Sequence, residues 1–276
     1  MRFDILITPG TRQRPADMLR RLHGGAVATG VDAVVMPQYQ PRDGAVLILY
    51  GLGASDRLPH ARAHRKRGGH FVALDAGYWE RKTEFRKFRV TVDDFHCPHL
   101  IMRGPDPGTS RLNQSAISIR DVSNSSGPIV LVGNGPKSGS VGASGWAELK
   151  SREIRKLHPN RQIKYRPKRG YIEPGVRCDS TAVTERIESV LEGSSLVVCR
   201  HSNVAIDACR AGVPVVCEDG AAAAIYPSRL EDEGIQPSLE RRNEFLRRLA
   251  WWQWSEDEMD KGAIWPWLTG ILNEVH

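Results

Sequence analysis

The chain has 276 residues, 40% hydrophobic and 26% charged, with 39 Lys and Arg against 32 Asp and Glu for a net charge of +7. That length holds one large domain or two small ones whose core needs no metal or disulfide staple. No apolar run reaches the roughly 18 residues of a bilayer span, and the first residues, MRFDILITPGTR, are too polar for a signal-peptide core. A cytoplasmic protein with no membrane partner is expected. Five scattered cysteines (97, 178, 199, 209, 217) are an odd number and read as reduced, packed thiols. The basic surplus points mildly to polyanionic partners.

In chain order, residues 3–8 (FDILIT) form the first buried strand, stopped by Pro9 and Gly10. Met18, Leu19, Leu22, Ala26 and Val27 follow at helical spacing over 15–29. Strands come next at 32–36 and 45–49, then a basic helix at 58–67 and a strand at 70–74 that leads into Asp75, Ala76, Gly77 and Tyr78. Short apolar runs without alternation suit parallel strands covered on both faces. Residues 103–127, rich in Gly, Pro, Ser and Asn, break the pattern. It restarts with strands at 128–132, 162–166, 196–199 and 213–217 and helices at 144–157, 183–191 and 203–211. The last 40 residues read as charged and helical, with Trp251, Trp252, Trp254, Trp265 and Trp267 as core. The expected architecture is α/β: two Rossmann-like domains facing a cleft, with a C-terminal helix crossing between them. The domains are 1–110, a linker at 111–127, 128–250, and a helical tail at 251–276.

In parallel sheets ligands bind beyond the carboxyl ends of the strands. At one such end Arg200 and His201 precede Ser202 and Asn203, which can cap the next helix and offer its positive end to a diphosphate. Asp207, one turn further on, could bind a ribose through both hydroxyls, and Asp219 and Gly220 begin the loop after the next strand. Gly133, Asn134, Gly135 and Lys137 could cradle phosphate, although they match neither the P-loop nor the dinucleotide spacing, so a plain turn stays open. Arg166 and Lys168 are either diphosphate clamps or a solvated loop. His96, Cys97 and His99 lack a second ligand pair at zinc-finger distance, so no metal site is expected.

Residues 196–226, with their small-residue turn, acidic helix and Gly212-Val213-Pro214, resemble the nucleotide-sugar half of GT-B glycosyltransferases. That family usually has Glu where this chain has Asp207. The blocks LDAGYWERKTEFRKFRVTVDDFH, YRPK and RRLAWWQWSEDEMDKGAIWPWL resemble a phage-encoded set of GT-B-like proteins. The resemblance implies a glycosyltransferase that uses a nucleotide-sugar, uridine-linked as in UDP-glucose, with no obligatory metal. Residues 128–250 would take the donor and 1–110 the acceptor. An attacking hydroxyl needs a base; Asp75, at a strand end, is the first candidate, and Asp94, beside Asp93 and His96, the second.

The acceptor expected is a hydroxymethylated pyrimidine, such as 5-hydroxymethylcytosine, in double-stranded phage DNA inside the host cytoplasm. Its phosphates would meet Arg62, Arg65, Lys66, Arg67, Arg86, Lys87 and Arg89. The residues leave two alternatives open. One is a glycosyltransferase acting on a small molecule, protein or glycan, and the other a non-catalytic DNA- or nucleotide-binding protein that keeps the fold.

Overall fold

The apolar runs become strands, and the strands sort into two sheets. The computed structural model describes every residue except 54–56, 80–85, 116, 123–125, 136–143, 169–170 and 276. The chain divides into unit 1, Met1–Cys97 with Trp251–His276, and unit 2, Pro98–Ala250.

Unit 1 begins with β1 (Arg2–Leu6), α1 (Gln13–Ala28), β2 (Ala33–Met36), β3 (Ala45–Tyr50), α2 (Arg57–Lys66), β4 (Phe71–Ala76) and β5 (Lys87–Val92). Strand β1 pairs in parallel with β2 and β3, and β3 with β4, each strand joined to the next across the sheet by a helix or loop. Strand β5 then reverses and pairs antiparallel with β4, Asp75 opposite Arg89 and Val72 opposite Val92. Helix α1 buries Met18, Leu19, Leu22 and Ala26, the stripe its spacing predicts.

Unit 2 holds α3 (Pro98–Ile101), α4 (Ser110–Asn113), β6 (Ile129–Val132), α5 (Trp146–Leu157), β7 (Ile163–Arg166), β8 (Ser180–Thr181), α6 (Ile187–Leu191), β9 (Leu196–Cys199), α7 (Val204–Ala211), β10 (Val215–Cys217) and α8 (Leu239–Ala250). Its sheet is parallel throughout, in the order β10-β9-β6-β7-β8. The chain leaves β6 towards β7 and β8, then returns to lay β9 on the other side of β6. That reversal makes the carboxyl ends of β6 and β9 a topological switch point. Below it Ile129, Leu131, Ile154, Ile163, Tyr165 and Val198 form the core.

The last segment returns to unit 1 as β11 (Gln253–Ser255), α9 (Glu256–Asp260) and α10 (Ile264–Val275). Strand β11 pairs antiparallel with β5 and completes the order β11-β5-β4-β3-β1-β2. A capping box between Ser255 and Glu258 starts α9. Trp254 and Trp265 are almost fully buried, and Trp265 lies 4.8 Å, ring centre to ring centre, from Phe3 of β1. A side chain on Gly25 of α1 would lie 2.0 Å from the carbonyl oxygen of Met259, so glycine lets the two backbones touch.

Two features differ from the sequence expectation. The tail is an integral part of unit 1, including a strand too short to show periodicity. Residues 98–127 belong to unit 2, so the change of unit comes at Cys97 and not within 111–127. Beyond the buried Leu100 and Ile101, that stretch lacks hydrophobic rhythm, and arginines hold much of it. Arg248 donates to the carbonyls of Arg103 and Pro105, Arg111 to Ala250, and the buried Arg242 to Arg120 and Cys209. The architecture is the expected mixed α/β one, with two Rossmann-like sheets.

Candidate functional site

At the carboxyl end of β6 the chain runs through Gly133, Asn134 and Gly135. A Cβ on Gly133 would lie 2.2 Å from the Tyr165 hydroxyl, so the tyrosine of β7 dictates glycine there. The Lys168 side chain crosses Gly135, 3.3 Å from where a Cβ would stand. Asn134 is buried, and its side-chain Nδ2 has no hydrogen-bond partner among the described residues. A buried amide donor without a partner is costly unless something else supplies an acceptor. Lys137 lies outside the described residues.

The start of α5, where a first Rossmann turn commonly receives phosphate, is already occupied. The Glu173 carboxylate accepts from the N–H of Ala147 at 3.2 Å. Burial pushes the Glu173 carboxyl up, against the bonds from Ala147 and Gly145 that lower it.

The start of α7 is different. Ser202 Oγ accepts from Val204 N at 3.2 Å, and the carbonyl of Asn203 receives the N–H groups of Ile206 and Asp207. The half-buried Asp207 sits in this first turn. In the loop after β10, Asp219 binds Arg200 Nε at 2.8 Å and His201 Nδ1 at 3.4 Å. Burial presses the Asp219 carboxyl up, but the hydrogen bonds and charges of His201 and Arg200 outweigh it and hold the group below its usual range. Gly220 donates to the carbonyl of Arg200, and a Cβ there would lie 2.9 Å from Cys217 Sγ and 3.0 Å from His201 Cα. The loops after β9 and β10 therefore pack backbone on backbone, keeping His201, Ser202, Asn203, Asp207, Asp219 and Gly220 in one neighbourhood.

Arg166 faces elsewhere: its guanidinium donates to the carbonyls of Ala182 and Glu185 and fastens the loop after β8. The clamp expected of it is already engaged in structure. Lys168 bridges to Tyr171. The sequence places Arg200 and Glu218 at strand ends but gives neither a role. Glu218 follows β10 and accepts from Trp146 Nε1 at 2.7 Å while pairing with Lys150 at 2.9 Å. Burial depresses the Lys150 ammonium, yet its bonds to Glu153 and Glu218 prevail and raise it. Trp146 and Lys150 lie on one face of α5, a legible signal, but their partner 70 residues on is not.

In unit 1, Asp75 ends β4 with its side chain 44% exposed. One oxygen accepts from Ala76 N at 2.7 Å and the other from Arg89 at 3.0 Å, leaving each a second lone pair. Arg89 also donates to Nδ1 of the buried His96 at 3.0 Å, which fixes that imidazole with an acceptor at Nδ1. Among the described residues, Asp94 makes no hydrogen bond with Asp75 or Arg89. Strand β5 runs backwards, so Asp93 and Asp94 follow Val92 at the start of β4, where Asp93 binds His70 and the N–H of Phe71. Asp94 accepts from Phe95 N in a local turn.

The same reversal separates the basic groups. Arg62, Arg65, Lys66 and Arg67 belong to the end of α2, at the amino edge of β4, whereas Arg86, Lys87 and Arg89 lie at its carboxyl edge. Arg65 and Arg67 pair with Asp93 and Asp43, and Arg89 with Asp75. They do not make one continuous phosphate track. No helix among the described residues is long and apolar enough to cross a membrane.

No protein-family model matches the chain, and no curated protein sequence does. Among solved structures, the chain is similar to a β-Kdo 2,7 transferase, KpsC of Thermosulfurimonas dismutans, with 16% identity, a TM-score of 0.55, and coverage of 96% of this chain and 99% of that one. The β-Kdo 2,4 transferase of the same KpsC matches with 12% identity and a TM-score of 0.47, over 90% of this chain and 89% of that one. At 16% identity the likeness is one of fold alone: this chain shares the overall fold of that transferase.

Proposed function

We propose that the chain is a glycosyltransferase that takes a nucleotide-sugar at the carboxyl edge of the unit-2 sheet. The observation that carries this reading is the switch point. There the start of α7 and the Asp219–Arg200–His201 group follow β9 and β10, and the unpartnered Asn134 amide follows the neighbouring β6, while the rival phosphate position at α5 is filled by Glu173. The helix end would receive the diphosphate and Asp207 the ribose. Asp75 is the group that would take the acceptor proton, with Arg89 as its positioning partner. Nothing in this scheme requires a metal.

For the acceptor, a glycan hydroxyl is the better-supported choice. The similar KpsC structure is a Kdo transferase, and several arginines a duplex would need are already paired. Hydroxymethylated DNA is the second reading, supported by Arg62 and Lys66, which are exposed and have no partner among the described residues.

A thermal-shift panel of uridine-, cytidine-, guanosine- and thymidine-linked sugars, a Kdo donor among them, tests the first step. A donor at 100 times its Kd should stabilise the fold by about 2.7 kcal/mol. Asp207→Ala should weaken the hit by about 1.5–3 kcal/mol. Asp75→Asn should leave donor binding intact and slow transfer by about 10²–10⁴. A panel with no hit overturns the proposal. Transfer to glycan or to hydroxymethylated duplex then decides the acceptor, and on DNA affinity should fall with salt.

A further inference from the structure

We propose that unit 1 carries a phosphate-binding site at the amino edge of its parallel strands, the edge away from Asp75. It does not rest on the glycosyltransferase reading. A cavity of about 120 Å³ opens there between the turn before β3 and the turn after α2, lined by Arg42, Ala45, His64, Arg67, Gly69 and His70 among others.

Its walls are fixed and its arms are not. His64 is buried and donates from Nε2 to the carbonyl of Ala45 at 2.9 Å, which sets the tautomer, because a carbonyl only accepts. His70 is held through Nδ1 by Asp93 at 2.5 Å, and Arg65 braces the rim by donating to the carbonyl of Gly69. The guanidiniums of Arg42 and Arg67, by contrast, keep most of their donors. The Arg42 guanidinium touches buried Asp4, at 3.5 Å, and makes no hydrogen bond among the described residues, although the Arg42 carbonyl accepts from Ala45 N. Arg67 has one contact, at 3.4 Å, to Asp43, whose side chain is 92% exposed and so open to competition from water.

Two planar forks beside one cavity suit a tetrahedral, doubly charged oxyanion better than a single carboxylate. The carbonyl end of α2 opposes an anion here, and Arg65 and Lys66 in its last turn offset that field. A cavity of this volume admits a phosphate head, and whatever it is attached to would remain outside. The head could belong to a soluble phosphate ester or to a phospholipid.

The test is an NMR titration of the full chain with inorganic phosphate against chloride at equal ionic strength. Saturable shifts at Gly68, Gly69 and His70 with phosphate alone are expected. Arg42→Gln and Arg67→Gln should each weaken binding about tenfold, and Asp43→Asn should strengthen it. Arg67 is half exposed, so its variant reports even if loss of Arg42 unsettles Asp4. Cosedimentation with phosphatidylcholine vesicles, with and without phosphatidic acid, separates the sources. Capture by the phosphatidic acid vesicles, reversed by free phosphate, assigns a lipid head, and binding of phosphate without capture assigns a soluble ester. Equal shifts with chloride, or unchanged affinity in Arg67→Gln, overturn the site.

Discussion

The two sheets are built on the same alternation and held together by different means. In unit 1 the sheet is sealed by rings: Trp254 and Trp265 are buried, Trp252 and Trp267 meet edge-on at 5.1 Å, and Phe3 packs on Trp265. In unit 2 the sheet core is mainly aliphatic around one tyrosine, Tyr165, and arginines donating to backbone carbonyls hold much of the stretch 98–127. The difference teaches where the charge of the chain goes. A good share of the +7 is structural: Arg242 is 1% exposed, Arg248 is 7% exposed, and Arg89 is clamped between Asp75 and His96. Net charge read from composition therefore overstates the cations available to a partner.

Substitutions can break this contrast. Trp265→Ala should cost about 3–5 kcal/mol, as large ring-to-methyl core changes do, and hydrogen exchange should show protection lost first in β1 and β11. Arg242→Ala strands the carbonyls of Arg120 and Cys209 and should cost about 2–4 kcal/mol. Both bonds come from one nitrogen, Nη1, so chemical denaturation should show that Arg242→Lys, with three N–H donors on one nitrogen, restores part of it. Gly25→Ala forces a methyl against the Met259 carbonyl and should lose about 1–3 kcal/mol. Its exchange signature should be confined to α1 and α9.

The smallest effect sharpens the electrostatic side. Asp219 is held below its usual range in the folded chain, so its contribution is present above the unfolded value near pH 4 and is lost as pH falls through the folded value. Urea midpoints of the parent and of Asp219→Asn should differ at pH 7 and converge in acid. A gap that persisted at low pH would mean that shape, not charge, joins the loops after β9 and β10.

Much of the fold was legible because buried parallel strands announce themselves as short apolar runs, and Met18, Leu19 and Leu22 mark their helix face directly. What was hidden depends on distant partners. Gln253 and Trp254 read as helix because three residues show no period, and only pairing with Arg89 and Phe88 makes them a strand. The stretch at 111–127 reads as a linker because nothing local reveals that Arg242 will seize the Arg120 carbonyl. In the candidate site, the sequence points to Ser202, Asn203, Asp207 and Asp219 by their place at strand ends. It does not reveal that Glu173 fills the α5 terminus, that Arg166 is turned away, or that Arg89 joins Asp75 to His96.

The return of the last 26 residues to unit 1 also sets an order of events in synthesis. Unit 2 is contiguous, from Pro98 to Ala250, and can close as soon as it leaves the ribosome. Unit 1 emerges first, yet must wait with β5 as an open edge until β11 arrives more than 150 residues later. An unpaired edge of this kind is a site for wrong pairing. The first-made part of the chain is thus the last to be finished, and chains stalled before Trp251 should be the ones that chaperones hold.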